Sequence, residues 1–182
     1  MELTDRERTT LLSLARSAVE AAVCRRPLPV ADLSGALAQP LGCFVTLTNQ
    51  GRLRGCIGTF QADLPIGQTV VRMGREAAVG DPRFRHDPIT PGELPELTVE
   101  VSVLSELTPT DSPESLTVGE HGIYIVGRGR SGCFLPEVAT DQGWGAVEFL
   151  DTCCAHKAGL PVGAWRDKDV KVFLFTSTKF SA

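Results

Sequence analysis

Cys56 is the strong nucleophile of the heptad Leu53-Arg54-Gly55-Cys56-Ile57-Gly58-Thr59, flanked by Gly55 and Gly58 in a stretch that otherwise reads as a strand. Glycine loses more entropy than other residues in a strand and has no side chain to pack. Two of them mark a bulge, or the close approach of a backbone or a ligand. Arg54, two residues before Cys56, shares its face if the extended period holds, and a guanidinium near a thiol favours the thiolate. Arg54 is therefore the candidate anion anchor, with Gly55, Gly58 and Thr59 as further candidate binding positions. A cysteine nucleophile also needs a base, and the base needs an acceptor that orients it. Of the three histidines, His121 in Gly119-Glu120-His121-Gly122 is the best candidate base, because a strand entrance between glycines is a poor place for a core histidine. Glu120 or Glu137 can orient it. Each assignment has a structural competitor. Cys56 can be a packed thiol, which is the commoner fate of cysteine, and His121 can be a loop residue bonded to nearby backbone.

Register decides which side chains Cys56 meets, and the elements around it set that register. Cys43 to Thr59 reads as a hairpin: Phe44-Val45-Thr46-Leu47, a turn at Asn49-Gln50-Gly51, then the heptad. Upstream, Thr4 and Glu7 have capping-box spacing, and Leu11, Leu14, Ala15, Ala18, Val19 and Ala22 form one apolar face, which predicts a helix over residues 4–23. Residues 64–79 repeat the pattern with Ile66, Val70, Met73 and Ala77, and Gly80 is the expected stop. Asp81 to Pro88 then packs Asp81, Arg83, Arg85, His86 and Asp87 into a loop that can pair with itself or bind an anion or metal. Thr90-Pro91-Gly92-Glu93 opens a short helix.

Val99, Val101 and Val103 alternate with Thr98, Glu100 and Ser102, the mark of a half-buried antiparallel strand. Residues 107–119 read as loop. A second hairpin follows around Gly127 to Gly132, and its G-x-G is not a dinucleotide fingerprint because no helix opens after it. Pro136 to Asp141 and Ala146 to Lys157 read as helices broken at Gly143, and Val170 to Thr176 as a closing strand covered on both faces. Strands and helices without βαβ regularity make the fold class α+β.

At 182 residues the chain fits one domain, with a possible smaller lobe around residues 61–95. A net charge of −4 argues against general nucleic-acid binding. No run of about 18 apolar residues predicts a membrane span, and the polar opening MELTDRERTT leads us to expect no signal peptide. The six cysteines lack disulfide-framework or C-x-x-C spacing and are expected to be reduced thiols in the cytoplasm, with Cys153 and Cys154 on different sides of one helix. No zinc spacing, P-loop, serine elbow or radical-SAM cysteine run is present, so no metal ligands are assigned and no cofactor is indicated.

The heptad LRGCIGT resembles the signature of the AMMECR domain family, whose prokaryotic members are called AmmeMemoRadiSam system protein A. GCFVTL, DPRF, ELPELTVEVSVL, EHGI, FLPEVA, Gly143-Trp144 and KAGLP appear in the same order as in that family, over about residues 40–165. The resemblance implies an α+β fold with a larger lobe on an antiparallel sheet and a smaller, mostly helical lobe. It also implies Memo-like and radical-SAM partner proteins, without an established reaction. Two functions compete. One is a small-molecule pocket centred on the heptad, with Cys56 and His121 as catalytic residues and Arg54 as anchor. The other is a non-catalytic binding or accessory component, with Trp144 and Trp165 as apolar anchors. A deep pocket around Cys56 favours the first, and a shallow open surface the second.

Overall fold

The computed structural model describes residues 3–60 and 63–182. The fold is α+β, in two compact units: residues up to Leu104 with Thr178–Ala182, and Ser105–Ser177.

In the first unit, helix α1 (Asp5–Val23) starts with the expected capping box, the Thr4 hydroxyl accepting from the Glu7 amide while Glu7 accepts from the Thr4 amide. β1 (Cys43–Asn49) and β2 (Arg52–Thr59) form the expected hairpin. Its two-residue turn holds Gln50 and Gly51 at φ 50° and 78°, the left-handed pair whose twist suits a hairpin. Helix α2 (Ile66–Val79) and β3 (Leu97–Leu104) follow, and β3 lies on the other side of β1. Late in the chain, β8 (Ser177–Ser181) returns to complete the sheet in the order β2-β1-β3-β8. One side of this sheet supplies Cys43, Val45, Leu47, Val99, Val101 and Val103 to a core shared with α1 and α2. The stretch 63–95 lies within this unit, α2 contributing Ile66, Val70, Met73 and Ala77 to the same core. Ser102, expected on the polar side of β3, is 1% exposed.

The second unit holds β4 (Thr108–Thr110), β5 (Gly122–Gly127), β6 (Arg130–Phe134) and β7 (Val170–Phe175) in the order β4-β7-β5-β6. Helices α3 (Pro136–Gln142) and α4 (Ala146–Cys153) accompany it. Arg128 and Gly129 make another turn with both φ positive, 54° and 71°, so the hairpin is tighter than expected. β4 lies in the stretch read as loop, and β7 alternates, with Lys171 exposed between buried Val170 and Val172, so it is not covered on both faces. Cys153 and Cys154 are both buried at the end of α4.

Candidate functional site

The heptad forms β2, an edge strand. Its pairing with β1 has one irregularity. Leu47 faces Gly55 and Thr48 faces Leu53, so Arg54 is opposed by no residue of β1. This is a β-bulge, and it redirects the side chain that period-two alternation would have set beside Cys56. Arg54 is 4% exposed. Its guanidinium donates to Glu93 through Nη2 at 3.0 Å and Nε at 3.3 Å, and to Asp87 through Nη1 at 2.7 Å. Burial works against its charge, but the bonds to Glu93 and Asp87 outweigh it and hold its pKa above the ordinary value. Arg54 is thus a buried cation paired with two carboxylates of the same chain.

Beyond the bulge, Cys56 is opposite Thr46, and its Sγ lies 3.2 Å from the Thr46 hydroxyl. The backbone groups of Cys56 turn outward, away from β1, and meet side chains. The amide donates to Asp81 Oδ2 at 3.0 Å, and the carbonyl accepts from Arg83 Nη2 at 3.1 Å. Asp81 and Arg83 are themselves paired, at 2.7 and 3.0 Å. A carboxylate and a guanidinium therefore take the acceptor and donor places that a neighbouring strand would fill, covering the edge at this residue. The Asp-Pro step makes this cover local. Asp81 accepts from the Arg83 amide and caps a short turn, Pro82–Phe84, whose proline sits at the first helical position. Asp81 has a side chain 1% exposed, and the Arg83 hydrogen bond, aided by the Cys56 and Arg83 amides against burial, lowers its pKa to about 2. The Phe84 ring lies under both guanidiniums, 5.9 Å from Arg54 and 5.6 Å from Arg83.

Steric space explains the two glycines. A Cβ on Gly55 would stand 2.0 Å from the Ala77 carbonyl oxygen of α2, and one on Gly58 2.2 Å from the Phe44 ring. Backbone and side chain of the protein itself fill the room the missing Cβ atoms leave. Thr59 ends β2 opposite Cys43, whose thiol burial pushes up to about 12. A cavity of about 320 Å³ at the hairpin tip is lined by Asn49, Arg52, Arg54, Asp87, Glu93 and Glu96 among others. Another of about 360 Å³ lies between the end of α2 and the Asp81–Ile89 loop. Cys56 lines neither of these two cavities.

The remaining candidates belong to the second unit. His121 accepts a hydrogen bond at Nδ1 from the Thr117 amide at 2.9 Å, and its own amide donates to the Thr117 carbonyl at 2.9 Å. These are the contacts of a loop histidine bonded to nearby backbone. Glu120 is exposed in the same turn, and Glu137 is half-buried in the first turn of α3. Trp144 is half-buried against Phe134, ring centroids 5.9 Å apart, while Trp165 is 7% exposed and donates to Asp151 at 2.7 Å. Cys56 and His121 thus sit in different units, each with local partners. Sequence reasoning missed Thr46, Asp81, Arg83, Asp87 and Glu93 as partners of the heptad. The available signal was the charge density of Asp81 to Asp87, read as a loop that pairs with itself or binds an anion or metal. Asp81 and Arg83 do pair with each other, and both, with Asp87, also reach β2.

Among the described residues, no group of three or more His, Cys, Asp or Glu side chains is arranged to hold a metal ion, and no helix is long and apolar enough to cross a membrane. The family model AMMECR1 matches residues 12–180. A protein of Thermococcus kodakarensis is 41% identical, covering 93% of this chain and 87% of its own. One from Methanothermobacter thermautotrophicus is 38% identical, covering 96% and 93%. The crystal structure of an uncharacterized protein from Pyrococcus horikoshii matches with a TM-score of 0.85 and 35% identity, over 94% of this chain and 89% of that one. With fold, heptad and near-full-length matches in agreement, the chain belongs to the AMMECR1 family.

Proposed function

We propose that this protein is a cytoplasmic, non-catalytic binding or accessory component that acts with Memo-like and radical-SAM proteins. The surface it offers is the β2 edge together with residues 82–87. The observation that carries this reading is the full engagement of Cys56: its thiol meets Thr46, its amide Asp81 and its carbonyl Arg83. A cysteine nucleophile needs a base, and the half-buried thiol meets a hydroxyl instead, while the two backbone contacts fix a strand in place. Arg54 is spent on Asp87 and Glu93, and the glycines admit Ala77 and Phe44. Arg85 is exposed beside that edge, and Arg52 and Arg83, exposed as well, are held by Asp87 and Asp81, which gives the edge a mixed-charge rim for a partner surface.

The test is calorimetric titration of the protein with a purified Memo-like protein. Cys56→Ser is expected to leave affinity unchanged, and Arg85→Glu to weaken it about tenfold, as reversing a rim charge does. Selective alkylation of Cys56 with an apparent pKa well below about 8.5 would overturn the reading. It would restore the reading of a cysteine-dependent enzyme with Cys56 as nucleophile.

A further inference from the structure

A cavity of about 320 Å³ in the first unit is lined by no residue of the heptad. One wall is the segment Leu28–Ala31, and the other is the side of α2 carrying Gln68, Val71, Arg72, Arg75 and Glu76. Pro27 and Pro29 restrict their own φ and bias the residues before them toward extended backbone, which lays the segment along the helix. Residues 68, 72 and 75 recur at helical spacing and so share the face that meets it. The size is that of small-molecule sites, roughly 300–1,000 Å³.

The lining has two chemistries. Leu28, Pro29, Val30, Ala31 and Val71 are apolar, and Leu28 and Val30 stay 39% and 94% exposed, an unusual outlay of apolar surface. The charged lining is Arg75, paired with Glu76, and Arg72, paired with Asp63 just outside the lining. Arg72 is incompletely satisfied: Nη2 donates to Asp63 at 3.2 Å, but the buried Nε has no hydrogen-bond partner among the described residues. The Arg72–Asp63 pair is itself open to solvent, with side chains 38% and 55% exposed, so it is weak and exchangeable for another carboxylate.

We propose that this cavity binds a small monocarboxylic acid with an apolar body. The apolar part lies against Leu28, Val30, Ala31 and Val71, and the carboxylate on the Arg72 guanidinium. A ligand carboxylate can take the place of Asp63 on the solvent-open side of the Arg72 guanidinium, whose planar fork suits two carboxylate oxygens. An amine of the same shape would meet two guanidiniums.

The test uses the whole chain, 15N-labelled, titrated with 3-phenylpropanoate and followed by backbone amide shifts. The alcohol and amine of the same skeleton, 3-phenylpropan-1-ol and 3-phenylpropylamine, serve as comparators. The acid is expected to give saturable shifts at Ala31, Gln68, Val71 and Arg72 with a Kd of about 1 mM or below. The alcohol is expected to bind about tenfold more weakly, and the amine not measurably. Arg72→Gln should weaken the acid about tenfold. Gln68→Trp, at an exposed helix position that fills the cavity, should abolish binding while the spectrum stays dispersed. Equal affinity for acid and alcohol, undiminished affinity in a folded Arg72→Gln variant, or shifts centred elsewhere would each overturn the proposal. If Arg72→Gln fails to fold, undiminished binding by Gln68→Trp overturns it alone.

Discussion

Asp81 shows how one side chain can serve turn, edge and charge at once. It caps the Pro82–Phe84 turn, accepts the Cys56 amide and neutralises Arg83. Its folded pKa of about 2 lies below the ordinary 3.8, so the unfolded chain binds the proton more readily. The resulting stability is fully present above about pH 4 and disappears as pH falls through 2. It is worth roughly 2 kcal/mol. Asp81→Asn should therefore be less stable at neutral pH and should lack this part of the acid dependence, read from urea midpoints between pH 2 and 6. Glu93 makes the parallel case for Arg54. Glu93→Ala leaves Arg54 with Asp87 alone and removes charge-assisted hydrogen bonds to a buried guanidinium, so it is expected to cost about 2 kcal/mol in the same measurement. The charges that hold the heptad were visible in sequence as a dense loop. Their partners were not, because Arg54 and Asp87 are 33 residues apart and only the fold brings them together.

At the scale of elements, local rules and tertiary packing divide the molecule cleanly. The capping box at Thr4 and Glu7, the turn at Gln50-Gly51 and the alternating valines of β3 are written in neighbouring residues, and each could be read directly. The bulge at Arg54 could not, because parity along a strand assumes regular pairing with its neighbour. β4 and β8 escaped for a similar reason: both are short and polar, and pairing with β7 and β3 makes them strands. Gly55 illustrates how such packing fixes a residue type. Gly55→Ala would drive a methyl group into the Ala77 carbonyl and should destabilise by about 3 kcal/mol, at the top of the overpacking range. Gly145→Ser is the contrasting case. It sits at the N-cap of α4 with open space around it, so serine should change stability by only about a few tenths of a kcal/mol, in the favourable direction. Thermal denaturation of the two variants side by side separates these outcomes.

For the molecule as a whole, the edge of β2 has a consequence for behaviour in crowded solution. Exposed edges recruit strands from other copies, and proteins blunt them with charge or cover. Here the outward amide and carbonyl of Cys56 are occupied by a carboxylate and a guanidinium of the same chain. Deleting the carboxylate releases both at once, since Asp81 also holds Arg83 in place. The ion pair is then a gatekeeper against self-assembly. Asp81→Ala converts a covered margin into a sticky one, and light scattering in concentrated samples would register growing particles before the fold itself is lost.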